Sequence, residues 1–162
     1  MVAMMVLSFV LMAQDPSAHH IRPTDPKIKR LFIDGLSRSP TFRSLVEALD
    51  RSDVIVYVDT KTTRPGLGAY LSHSITVAGA YRYVHIALDV QGARGRLVPL
   101  LAHELQHAAE VAAEPGARDL QGVDKLFERL AIPFGCGGTT CNETQAARDV
   151  EVAVRAELKL AH

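Results

Sequence analysis

The hydrophobic period of this chain changes twice, and those two changes constrain its fold more than any other feature. Residues 24–50 place apolar side chains at helical spacing, residues 54–88 switch to β-branched and alternating runs, and residues 97–113 return to the helical period. In the first segment Thr24 or Asp25 caps a helix, Pro26 occupies its first turn, and Ile28, Leu31, Phe32 and Leu36 share one face. A second helix starts at Ser39 and Pro40, with Phe42, Leu45, Val46 and Leu49 as its apolar side. V-I-V-Y-V at 54–58 reads as a buried strand, and 74–78 and 82–88 read as two strands around a tight turn near Gly79. The next helix begins at Leu97 and is stopped by Pro115-Gly116 after about Ala113. A shorter helix is expected over 120–131, and a last one from Asn142 to the C-terminus. This order predicts an α+β domain whose small, mainly antiparallel sheet packs against the 97–113 helix, with further helices around it.

At 162 residues the chain is long enough for one domain with a sizeable core. Its 18 basic and 18 acidic residues cancel, so nothing in the charge balance points to a nucleic acid or an anionic membrane as partner. Residues 1–13 form an apolar run too short to span a bilayer but suited to the core of a signal peptide. Cleavage after Ala13 would leave 14–162 as a single exported domain, periplasmic or extracellular. No Lys or Arg precedes the run, so a buried N-terminal helix is the competing reading. Cys136 and Cys141, the only cysteines, enclose G-G-T-T and fit a local disulfide in an oxidising compartment; free thiols or a soft metal pair are the alternatives.

The chemistry is concentrated at residues 103–107, H-E-L-Q-H. On a helix His103 and His107 stand about 40° apart on successive turns, the spacing at which two imidazoles converge on one ion. Leu97, Leu101, Leu105, Ala108 and Ala112 form a separate stripe that would pack onto the sheet. Glu104, turned by about 100° from His103, can reach the water beside the ion without ligating it. A surface histidine pair is the bland alternative, and the helical context argues against it.

Zinc held by two histidines needs a third protein ligand and an open position. An H-E-x-x-H-x-x-G-x-x-H extension is excluded, because Glu110 and Ala113 stand where its Gly and His would be. Glu110 faces the right way, but about 10.5 Å of helix axis separates it from His103, which suits a partner of an imidazole N–H better than a ligand. Glu143 begins the apolar stripe of the final helix, in phase with Ala147, Val150, Val154 and Leu158. A carboxylate on such a stripe is costly unless paired or metal-bound. Asn142 as N-cap with Gln145 closing a capping box would aim it inward; attraction to the helix dipole is the simpler role. Arg148 and Asp149, one turn on, are candidates for supporting the histidines or an oxyanion. Tyr81, Tyr83 and His85 alternate onto one strand face and are candidate transition-state donors or merely a packed or solvated side.

H-E-L-Q-H together with a downstream glutamate helix resembles the zincin-type metallohydrolases of the gluzincin kind. R-P-T-D-P at 22–26, S-D-V-I-V-Y-V at 52–58, L-L-A-H-E-L-Q-H-A at 100–108 and E-T-Q-A-A at 143–147 also resemble small exported bacterial proteins of unassigned function. The resemblance implies a zinc site of His103, His107 and Glu143 and a zinc-dependent hydrolase, most simply a metallopeptidase using zinc-bound water with Glu104 as general base. Its substrate would be a peptide or a cell-envelope component. The alternative is a degenerate zincin that keeps metal for structure or binding. The 36 residues from His107 to Glu143 exceed the short spacer of large gluzincins, and there is no room for their substrate-binding subdomains.

Overall fold

The computed structural model describes residues 19–62, 68–91, 94–132 and 143–160, apart from the side chains of Arg94 and Leu160. Residues 1–13, Cys136, Cys141 and Asn142 lie outside this set, and with them the expected leader, disulfide and cap. The described chain is α+β: β1 (Ile21–Pro23), α1 (Pro26–Arg38), α2 (Pro40–Asp50), β2 (Val54–Thr60), β3 (Ala69–Leu71), β4 (Thr76–Ala78), β5 (Tyr81–Leu88), α3 (Arg94–Ala113), α4 (Leu120–Leu130) and α5 (Gln145–Leu160).

Local chemistry sets most of these boundaries. Asp25 caps α1 by accepting from Lys27 N–H, with Pro26 opening the helix. Ser39 ends α1 through its own N–H to Gly35 O and begins α2 by accepting from Phe42 N–H. One residue thus serves both helices and forces the chain to turn sharply. The turn works only because α1 approaches closely: a Cβ at Gly35 would lie 2.9 Å from the Phe42 ring. Gly79, with φ of 59°, supplies the left-handed residue in the β4–β5 turn.

The sheet corrects the sequence reading. It runs β1-β2-β5-β3, with β4 also on β5, and its two longest-reaching pairs, β1–β2 and β2–β5, are parallel. Only β3 and β4 pair antiparallel, both with β5. The expected hairpin is present, but it occupies one edge of β5 and leaves the other to β2. Parallel neighbours need long crossovers. The helices α1 and α2 provide one between β1 and β2, and residues 61–80 provide the other.

The core draws on one face of this sheet. Val54, Val56 and Val58 from β2 and Val84, Ile86 and Leu88 from β5 join Phe32, Phe42, Leu45 and Leu49 from α1 and α2 in one cluster. Strand residues of the other phase, Tyr57, Tyr83 and His85, remain partly exposed and stack on one another, with Tyr57 to His85 at 5.3 Å. Helix α3 lies in the middle, against the sheet on one side and α5 on the other. Accordingly Val98, Ala102 and Val111 are buried as well as the expected Leu97, Leu101, Leu105 and Ala108.

One charged residue shares the buried phase. Arg82 is 1% exposed and donates to both carboxylate oxygens of Asp53, at 2.8 and 2.6 Å. Its remaining N–H groups reach the carbonyls of Val111, Ala112, Glu114 and Ala117, where α3 ends. The last carbonyls of a helix have no partner within it, so this guanidinium closes the C-terminal end of α3. It also anchors that end to the beginnings of β2 and β5.

Candidate metal site

His103 and His107 project from the middle of α3 toward α5, both less than a tenth exposed. Their rings meet edge to face at 4.9 Å between centroids. Glu143 enters from the segment just before α5, and its Oε1 lies 3.4 Å from His103 Nε2. One potential ligand atom from each of His103, His107 and Glu143 falls within 4.8 Å of the other two. The structure therefore brings together the three residues expected as ligands from 36 positions apart in sequence.

Glu143 arrives by a different local route from the one its helical phase suggests. Helix α5 begins at Gln145, and Ala147 N–H donates to Thr144 Oγ1, so the cap is Thr144. Glu143 precedes the helix and is not part of its apolar stripe. Gln145 makes no capping box; its amide donates instead to Asp149 at 2.7 Å. Arg148 and Asp149 are exposed and do not reach the histidines.

Each imidazole is backed by a carboxylate. Glu110 Oε2 lies 2.9 Å from His107 Nδ1, and its other oxygen accepts from Thr144 Oγ1 at 2.6 Å. Glu110 thus sits behind a histidine, at the position helix geometry allows it. Behind His103 is Glu151, which the sequence reading passed over. Its Oε2 lies 3.2 Å from His103 Nδ1, off the line of a good hydrogen bond but close enough for strong attraction. Glu151 also accepts from Arg155 one turn further on. With Nδ1 of both rings facing a carboxylate, Nε2 of each is the nitrogen left to face an ion, the usual arrangement for ligating histidines.

Burial and charge shape the protonation of this cluster. Burial and the neighbouring His107 hold His103 below the ordinary imidazole value. Burial also pulls on His107, but its bond to Glu110 and the charges of Glu104, Glu110 and Glu143 outweigh it and raise its affinity for a proton. Glu104 is 5% exposed, and burial pushes its carboxyl up to about 7, against the attraction of His107 and a backbone hydrogen bond from Leu71. Leu71 ends β3, the outermost strand beyond β5, so the edge of the sheet meets the histidine helix at Glu104.

These residues fit a divalent cation. Two imidazoles and a carboxylate are a nitrogen and oxygen donor set suited to zinc and its first-row neighbours. Glu143 Oε1 is buried and has no hydrogen-bond donor among the described residues. Four carboxylates, from Glu104, Glu110, Glu143 and Glu151, surround the two rings, an excess of negative charge that a cation would offset. The strand residues Tyr81, Tyr83 and His85 are not part of this site. They lie in the opposite phase from Arg82, which points toward α3, so they occupy the far face of the sheet.

Compared with known proteins, the chain matches no family model, no curated protein and no solved structure. The functional reading therefore rests on the geometry of these side chains.

Proposed function

We propose that this chain is a zincin-type zinc hydrolase, a small exported metallopeptidase acting on a peptide or cell-envelope substrate. The observation that carries the reading is the convergence of His103, His107 and Glu143, each histidine backed by a carboxylate, with Glu104 one residue from the first ligand. Zinc bound by this triad would polarise a substrate carbonyl and make a water nucleophilic near neutral pH.

The chain's own residues supply the remainder. Glu104, pushed up to about 7, is poised to accept a proton at neutral pH as water attacks and to return it to the leaving amine. Glu110 and Glu151 hold the two rings in register. No helix among the described residues is long and apolar enough to cross a membrane.

A second reading, a zincin that keeps metal for structure or binding alone, is favoured by the depth of Glu104 and by its bond to Leu71. Metal analysis of the purified chain and a peptide-library screen, each with Glu104→Gln, separate the two. The hydrolase reading expects one zinc per chain in both proteins and cleavage only in the unaltered one. Cleavage that survives Glu104→Gln overturns Glu104 as base, and a chain without stoichiometric zinc overturns the metal site.

A further inference from the structure

We propose that the crease between α1 and the first turn of α3 binds a small acid with an apolar tail, of the medium-chain fatty-acid type. This site is independent of the metal site and of the reaction proposed for it. Lys27, Arg30, Leu31 and Asp34 recur along α1 at the spacing of one helix face. That face adjoins the buried one of Ile28, Phe32 and Gly35 and so lies at the margin of the core. With Val90 and Gln91, which follow β5, and Leu97 of α3, it bounds a cavity of about 530 Å³. Small-molecule sites fall in the same range, roughly 300–1,000 Å³.

The lining divides by chemistry. Leu31, Val90 and Leu97 are apolar and all pack on the hydrophobic core, which fixes that wall in place. Lys27 and Arg30 are exposed, and neither side chain makes an ion pair or a hydrogen bond among the described residues. The carboxylate of Asp34 is already held by Arg38 at 3.2 Å, which offsets its charge. Gln91 donates its backbone N–H to Asp89 and adds an uncharged amide to the rim. The cavity therefore joins an apolar wall to a net positive rim. An acid with a short tail complements both, because the tail takes the wall out of water and the head is attracted by two cations. A flat anionic membrane surface would meet Lys27 and Arg30 but not Leu97, which is 5% exposed. The competing account is a mere seam between two helices with solvated cations along it.

The test is an NMR titration of the full, isotope-labelled chain with octanoate. Saturable shifts should centre on the amides of residues 27–34, 90–91 and 97. Two exposed cations together correspond to about tenfold in affinity, so the double variant Lys27→Gln, Arg30→Gln should bind octanoate about tenfold more weakly. Glutamine is a good helix former, and urea unfolding checks that the fold is kept. Gln91→Glu, which adds a negative charge to the same rim, should also weaken binding and gives a second reading should the double variant unfold. Acetate and octanol, the head and the tail alone, should each bind far more weakly than octanoate. No saturable shift by about 10 mM octanoate, or an affinity in the variants within about twofold of the unaltered chain, overturns the inference. So do shifts centred elsewhere, and so does acetate or octanol binding as well as octanoate. Co-sedimentation with phosphatidylglycerol vesicles without any response to octanoate also overturns it and assigns the cations to a membrane surface.

Discussion

Replacing Arg82 with Met keeps the length and apolar stem of the side chain and removes only the guanidinium. That group donates to Asp53 and to the four carbonyls at the end of α3. Removing one member of a buried ion pair costs about 3–5 kcal/mol when the other is left dry. Asp53 is 37% exposed and can recover water, which lowers its share. The carbonyls of Val111 and Glu114 retain N–H donors from Glu114 and Ala117, so they are only partly stranded. The expected loss is therefore near the bottom of that range, about 3 kcal/mol, or a fall of about 6–12 °C in Tm for a chain of this size. Urea and thermal unfolding of the two proteins measure it. Asp53→Asn should cost much less, because Arg82 keeps its carbonyl partners. Its effect should also depend on pH. Arg82 holds the Asp53 carboxyl below the ordinary range, so its contribution is complete above the unfolded value of about 3.9 and disappears as pH falls through the lower folded value. The stability gap between wild type and Asp53→Asn should thus be full at neutral pH and close in acid. A loss under about 1 kcal/mol for Arg82→Met, or a larger one for Asp53→Asn, would refute this account.

Other outcomes follow from the site and its frame. Glu143→Ala should abolish tight zinc binding measured by competitive chelator titration, whereas Glu110→Ala or Glu151→Gln should weaken it by about 10–100-fold; the reverse order would transfer the ligand role. Gly35→Ala must push the Phe42 ring from its 2.9 Å approach and should lower stability by about 1–3 kcal/mol in urea unfolding, without changing metal stoichiometry. Expression with its own N-terminus should give an exported product beginning near Gln14, as read by N-terminal sequencing; a retained residue 1 would argue for the buried-helix alternative.

The sequence made the helices legible because α1, α2 and α4 each carry a cap and an apolar face that need no distant partner. The β4–β5 turn was equally legible at Gly79. What escaped depends on pairing. β1 and β3 are three residues each and exist as strands only because β2 and β5 lie beside them. Parallel register is likewise decided by crossovers, which periodicity does not record. The histidines and Glu110 could be placed from helix geometry alone, while Glu143 was placed beside them for a partly mistaken reason, the helix cap lying at Thr144, two residues later than expected. Glu151 had a usable signal: it stands four residues after Ala147 and three before Val154, both fully buried. Arg82 had one too, a charge in phase with Val84 and Ile86. In both cases a charged residue among apolar neighbours marked a partner elsewhere in the chain.

The Thr144 hydroxyl accepts from Ala147 N–H and donates its only proton to Glu110, behind His107. The start of α5 and the orientation of the His107 ring on α3 therefore share one atom, and the position can drift over evolution only along a narrow path. Serine retains both bonds; valine or alanine loses both at once. A homologue that preserves the site should carry H-E-x-x-H-x-x-E and, further along, E-S/T-x-x-A-x-x-x-E, a pattern far more restrictive than the histidine motif alone and one by which distant kin of this chain can be sought.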